Sequence, residues 1–274
     1  MCGARGSIPC AGREFTGIGG DTSCVAVTAG GGAPALVLDA GSGVRNVSAL
    51  LGGRPFDGTI LLSHLHWDHT QGLPFFGGGT RADAVVRVRL PEQGVAAEEL
   101  MARCMSPPHF PIRPGELEGA WSFGAYEEGV MEVEGLRVLA REVPHKGGRT
   151  MGLRVSDGRR SLAYIPDHAP HALGPGPDGL GPLHPAALEL ADGVDLLIHG
   201  AHFTAEELPA VAGFGHAAAE YAVTLASAAG AKRLLLFHHS PSRTDDQVSA
   251  LAARLRRGAG ASVEPAATGQ VVHL

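Results

Sequence analysis

Six largely apolar segments of this chain each run into a residue that can bind a metal ion. Leu36–Leu38 precedes Asp39, Ile60–Leu62 precedes His64, and Val138–Val143 precedes His145. Leu162–Ile165 precedes Asp167, Leu196–Ile198 ends in His199, and Leu234–Phe237 ends in His238. Short continuous apolar runs bounded by Gly, Pro and Asp read as strands buried on both faces. Layered α/β folds gather their active sites at one edge of a sheet, at strand ends. The pattern therefore constrains the fold to a layered arrangement whose strand ends converge on one site.

The densest part of that site is Thr59-Ile-Leu-Leu-Ser-His-Leu-His-Trp-Asp-His-Thr-Gln-Gly72. Three imidazoles and a carboxylate within residues 64–69 suit a metal site better than a core. If the segment is extended, His64, His66 and Asp68 share a face, because alternate side chains of a strand do. His69 breaks the alternation and needs a turn. One segment can then supply ligands to two adjacent metals.

Composition narrows the reading further. A hydrophobic fraction of 44% supports a real core, and the 40 glycines and 19 prolines are interspersed with apolar runs rather than gathered into a linker. Residues 1–274 are therefore expected to form one domain. The net charge of −6 offers no basic footprint, so nucleic acid is not the expected partner. The four cysteines lack Cys-x-x-Cys spacing and read as small, buried or semi-buried hydrophobes in a reducing compartment. No apolar stretch reaches the roughly 18 residues of a membrane span. The N-terminus has no charged-then-apolar signal pattern. These features point to a cytoplasmic protein without a membrane partner.

Along the chain, Cys24–Thr28 and Ala35–Asp39 read as a hairpin, Asn46–Leu51 as a short helix, residues 59–63 and Ala84–Leu90 as strands, and Glu98–Met105 as helix. Residues 106–128 read as a long irregular excursion, of the kind that forms lids or substrate walls. Strands are expected at Leu136–Val143, Met151–Val155, Ser161–Ile165, Val194–Ile198 and Arg233–Phe237, and Pro170–Pro185 reads as loop. Helices are expected at Ala217–Ala229 and from Thr244 to about Arg257, and Val271–His273 is expected as a closing strand.

His64-Leu65-His66-Trp67-Asp68-His69 resembles the His-x-His-x-Asp-His signature of the metallo-β-lactamase fold. The downstream order agrees: His145 before Gly147-Gly148, Asp167 in Tyr164-Ile165-Pro166-Asp167-His168, and a histidine in Phe237-His238-His239-Ser240-Pro241. The resemblance implies a four-layer αββα sandwich of two mixed sheets flanked by helices. It also implies one metal on His64, His66 and His145, a second on Asp68, His69 and His238, and Asp167 bridging them. Either His238 or His239 can be the last ligand, and the preceding strand favours His238. Imidazole suits zinc, while a mixed nitrogen and oxygen set tolerates manganese or iron.

Asp167, where zinc β-lactamases commonly have cysteine, makes the chain more similar to the phosphodiesterase and ribonuclease Z branch. Asp195-Leu-Leu-Ile-His199 and Gly215-His216-Ala217 resemble the His-Glu-Ala-Thr and Gly-His-Ser segments of ribonuclease Z. Gly200, His202 and Ala217 depart from them, and no basic arm for tRNA is present. Arg5-Gly-Ser-Ile-Pro9, Leu73-Pro-Phe-Phe76 and the run from His238 to Asp246 look most like bacterial proteins described as similar to class II cyclic-nucleotide phosphodiesterases.

The implied activity is hydrolysis of a small phosphodiester by a hydroxide held between two divalent metals, with Asp68 orienting the nucleophile and His216 as general acid. Asp39 is expected to orient a ligand imidazole, and Tyr164 and His168 to line the pocket. His109, His171, His184 and His273 are expected to be solvated. Arg5, Lys146, Arg149 and Arg243 are candidate phosphate donors. A lactonase, thioesterase or β-lactam hydrolase would use the same centre on a carbonyl. A tRNA-processing endonuclease and a non-catalytic metal-binding protein are the remaining readings. Dimers are common in this branch, which leaves a homodimer open.

Overall fold

The structure is a computed structural model and describes residues 1–257 and 260–274. Its strands form two sheets. The first joins β1 (Val25–Val27), β2 (Leu36–Leu38), β3 (Asp57–Leu61), β4 (Val85–Pro91) and β5 (Ala120–Tyr126) in that order, antiparallel at β1–β2 and parallel beyond. The second holds β6 (Gly129–Val133), β7 (Leu136–Glu142), β8 (Met151–Ser156), β9 (Ser161–Ile165), β10 (Leu196–Gly200), β11 (Arg233–Phe237) and β12 (Ser262–Pro265). Strands β6 to β9 are antiparallel, and β9 to β12 are parallel.

The apolar runs are continuous because each inner strand is covered on both faces. Leu36, Leu38, Leu61, Ile198, Leu235 and Phe237 pack between the sheets. Their sequence neighbours Val37 and Ile60 face α1 (Val47–Leu50) and α3 (Ala97–Ala102), with α2 (Trp67–Thr70) at the sheet edge. On the far side Leu197, Leu234 and Leu236 face α4 (Pro185–Ala191), α6 (Ala219–Ala228) and α7 (Asp245–Arg256), with α5 (Leu208–Val211) a single turn between β10 and α6. The layers therefore run helix, sheet, sheet, helix, as expected.

Registers bring the strand ends together. His199 pairs with Ile165 and Gly200 with Phe237, so Asp167, His199 and His238 lie at adjacent ends. Leu38 pairs with Leu61, which sets Asp39 beside the start of the histidine loop.

Four expectations change. Residues 120–126, read as loop, are strand β5 paired along its length with β4. Gly124 disguises it in the sequence, and a Cβ there would fall 1.9 Å from Arg89 Nη1, so only glycine lets that guanidinium lie across the strand. Strand β6 and helix α4 were not foreseen. Val271–His273 forms no strand; the edge of β11 is taken by Ser262–Pro265 instead.

Candidate metal centre

The histidine loop leaves β3 and turns almost at once. His66 is the N-cap of α2, so Asp68 and His69 sit on a helical turn rather than an extended segment. That turn changes the grouping by alternation: Asp68 keeps company with His69, not with His64 and His66. His145 follows β7, Asp167 follows β9, and His238 follows β11. Ligand-capable atoms of His64, His66, His145 and Asp167 lie within 4.8 Å of one another, as do those of Asp68, His69, Asp167 and His238. Asp167 belongs to both groups.

The spacings test whether a divalent ion fits. His64 Nε2 and His69 Nε2 lie 3.1 and 3.0 Å from Asp167 Oδ2. His66 Nδ1 is 3.2 Å from His145 Nε2, and His238 Nε2 is 3.3 Å from His69 Nε2 and 2.9 Å from Asp68 Oδ2. For metal–nitrogen bonds of about 2.0–2.1 Å, the edge of a coordination tetrahedron is about 3.3 Å. These contacts have that length. His64 Nε2 and Asp167 Oδ2 are also buried without a well-directed hydrogen bond. Orphaned buried polar atoms are rare and call for a partner. The donor set therefore fits a pair of first-row divalent cations.

Outer contacts decide which ring nitrogen each histidine offers. Asp39 Oδ2 accepts from His69 Nδ1 at 2.7 Å, from Ser63 Oγ at 2.8 Å and from the Tyr164 hydroxyl at 2.7 Å. His69 is thereby left with Nε2 toward the cluster. The Gly215 carbonyl does the same for His145, accepting from Nδ1 at 2.6 Å. Asp68 Oδ2 accepts from the backbone N–H of Ser7 at 2.7 Å. Among the described residues four non-glycines have positive φ, and three of them are here: Ser7, Asp39 and His238. Such backbone strain concentrates at sites whose surroundings fix the conformation.

Charge in the site is polarised. Burial and the neighbouring imidazoles push His64 and His145 down to about 4, although Asp167 opposes this, so both are neutral donors at neutral pH. Burial would raise Asp68 and Asp167, but the surrounding histidines outweigh it and hold both well below the usual carboxylate range. His69 moves up: burial opposes its charge, and Asp68, Asp39 and Asp167 overcome that.

His216 is also brought to the cluster, its Nδ1 3.1 Å from Asp167 Oδ1. His239 is not; its Nε2 donates to the Ala266 carbonyl at 3.0 Å, on the far side of the strand end. Tyr164 and His168 do not line a pocket. Both are fully buried, Tyr164 on Asp39 and His168 on His199 at 3.2 Å. His171 is not freely solvated, since its Nε2 donates to the Ala212 carbonyl at 2.6 Å. Cys104 is exposed rather than buried.

Three candidate phosphate donors are engaged elsewhere. Arg5 is completely buried on backbone carbonyls and Asp245, Arg149 pairs with Glu127 and Glu142, and Arg243 pairs with Glu207. Only Lys146, beside His145, keeps an exposed position. Sequence reading missed His202, Gly6 and the Ser7 amide. Gly6 was signalled by its place in a Gly-rich opening, but which side chain it approaches is a tertiary fact.

A family model described as the beta-lactamase superfamily domain matches residues 36–239, a span that runs from β2 through His64, Asp167 and His238. The chain belongs to the metallo-β-lactamase superfamily. Fold comparison agrees. The metallo-β-lactamase fold protein YhfI of Bacillus subtilis aligns over 98% of this chain and 95% of its own, at a TM-score of 0.69 and 19% identity. The short form of human tRNase Z covers 87% and 91%, at a TM-score of 0.62 and 20% identity. In sequence, ribonuclease Z of Salinibacter ruber is 30% identical over 228 residues, 68% of this chain and 69% of that protein. The superfamily's fold typically holds divalent metal ions, and its hydrolases include the ribonuclease Z relative. Two of these proteins are named for action on RNA, so the charge-based expectation against nucleic acid is not supported. Among the described residues no helix is long and apolar enough to cross a membrane.

Proposed function

We propose that this superfamily member is a dinuclear metal-dependent phosphodiesterase. His64, His66 and His145 hold one ion, Asp68, His69 and His238 the other, and Asp167 touches both. The observation that carries the reading is the shared position of Asp167 between two ligand groups. Such a pair, when bound, supplies a hydroxide at neutral pH and Lewis-acid polarisation of a phosphoryl oxygen. Zinc is the first choice for this donor set, and manganese or iron are compatible.

The chain's own residues do the rest. Asp68, held ionised and fixed by the Ser7 amide, orients the attacking oxygen. His216, anchored through Nδ1 on Asp167, presents Nε2 to the leaving oxygen as proton donor. Lys146, whose Nζ donates to the Gly213 carbonyl at 3.1 Å, is the candidate cation for a phosphate because it follows His145 and stays exposed. His109 and Phe110, with Cys104 and Met105 just before them, face Trp67 and Phe75 across a groove of about 520 Å³, which suits the start of the 106–128 segment to the role of substrate wall. The 30% identity to a ribonuclease Z favours phosphodiester over carbonyl substrates and keeps RNA among the diesters to be tried.

The test is metal analysis of the purified chain joined to a hydrolysis screen with a phosphodiester, a short RNA, a lactone and a β-lactam. About two ions per chain and diester cleavage are expected. His66→Ala should lower that cleavage by about 10²-fold or more, the cost of removing one preorganised charge-stabilising group. Lactone turnover without diester turnover moves the reading to a carbonyl hydrolase, and fewer than one ion after reconstitution overturns the centre.

A further inference from the structure

We infer that His202 is a positioning residue that holds His238 in the orientation its role requires. The inference rests on the dinuclear reading above and concerns a residue outside both ligand groups assigned there. His238 stands at the end of β11 with φ 54°, a conformation that L residues adopt only when their surroundings enforce it. Its Nε2 faces Asp68 and His69. A neutral imidazole that offers Nε2 to a cation carries its proton on Nδ1, and a buried N–H needs an acceptor.

Two acceptors lie within reach of that proton. Asp167 Oδ1 is 3.3 Å away and also accepts from His216 Nδ1 at 3.1 Å, so it is shared between two rings. His202 Nδ1 is 3.2 Å away, and the same atom lies 3.2 Å from the His238 carbonyl. As acceptor from the His238 ring, His202 Nδ1 carries no proton and makes no hydrogen bond to that carbonyl, so its hold on His238 is through the ring. It is itself fixed. Arg243 Nη1 donates to its carbonyl at 2.9 Å while Nη2 pairs with Glu207, and its ring stacks on His216 with centroids 4.4 Å apart and planes 20° apart. Gly6 closes the remaining side of the His238 ring. His202 thus joins one assigned ligand and the assigned proton donor in a single contact network, and no resemblance pointed to it, because related segments carry threonine there.

The experiment is a chelator-competition titration of zinc on the full chain, in wild type, His202→Phe and His202→Gln. Phenylalanine keeps the stacking area and removes Nδ1; glutamine restores a hydrogen-bonding group. His202→Phe should weaken one of the two ions by about 10–100-fold, the usual cost of losing a ligand's outer partner, and leave the other unchanged. His202→Gln should recover most of that loss. In zinc-loaded wild type, nitrogen NMR of the imidazoles should show His238 protonated at Nδ1, which needs no variant to fold. Both ions bound by His202→Phe as in wild type overturns the inference, and so does equal weakening of both with a fall in Tm. A zinc-bound nitrogen on His202 makes it a ligand and overturns it too. A wild type that does not take two ions sinks the dinuclear reading and this inference with it, whereas two ions unaffected by the variant sink this inference alone.

Discussion

Gly6 shows how much a single atom decides at this site. Its backbone φ is not left-handed, so alanine is conformationally acceptable there, yet an added Cβ would lie 2.3 Å from His238 Nδ1 and 2.4 Å from Cε1. Heavy atoms do not approach that closely, and one side must move. The His238 ring is boxed by His202 and by the stacked His69, at 5.3 Å between centroids, so the displacement falls on the ligand atoms. Gly6→Ala should lower diester turnover and the affinity of one ion by about 10–100-fold, as for other losses of ligand orientation. Thermal unfolding of the metal-free protein should change little, which separates a site effect from a folding effect.

At the scale of elements, the parallel order β9-β10-β11 is what turns scattered motifs into one site. Parallel strands in register put their carboxyl ends at one edge, and the residues after each end face a common cleft. β7 runs antiparallel to β8, which runs antiparallel to β9, so His145 arrives at that same edge. The sheets are held by side chains such as Leu235 of β11, nearly inaccessible in the inter-sheet core. Leu235→Ala should destabilise by about 2–5 kcal/mol through lost burial and a residual cavity. In a domain of this size that lowers Tm by roughly 4–20 °C. Differential scanning calorimetry of the metal-free protein checks it; an unchanged Tm would show that the two sheets do not share this core.

For the whole molecule, buried histidines set the response to acid, and those outside the proposed ligand groups add to that of His64 and His145. His199 is buried, donates from Nδ1 to the Gly200 carbonyl and receives the His168 N–H on Nε2, so its neutral form is fully bonded. Burial pushes it down to about 4, and His239 is pushed to about 3 in the same way. The unfolded chain takes up these protons near pH 6.5, whereas the folded chain resists until far lower. Stability is therefore complete at pH 7 and lost as pH falls from about 6.5 toward 4, by up to about 3 kcal/mol for His199. Urea unfolding of chelated protein at several pH values should show that decline. His199→Gln should flatten it, and an unchanged slope in that variant would remove His199 from the account.

What the sequence determined by itself is the strands that carry the site and the chemistry at their ends. Continuous apolar runs announce strands covered on both faces, and a carboxylate or imidazole directly after such a run announces a site edge, because both signals are local. The element errors arose where local signals are weak: β5 carries a glycine that only Arg89, far off in the chain, explains, and β6 and α4 lack a pattern strong enough to stand out. Tertiary structure alone decided the geometry of the site. Whether Asp68 faces His66 or His69 depends on one turn of helix, and whether His238 or His239 faces the cleft depends on a residue with φ 54°. Which arginines are free depends on partners such as Asp245 and Glu207, and the grip of His202 on His238 spans 36 residues. Distances of this kind are set by packing between layers, and no spacing along the chain encodes them.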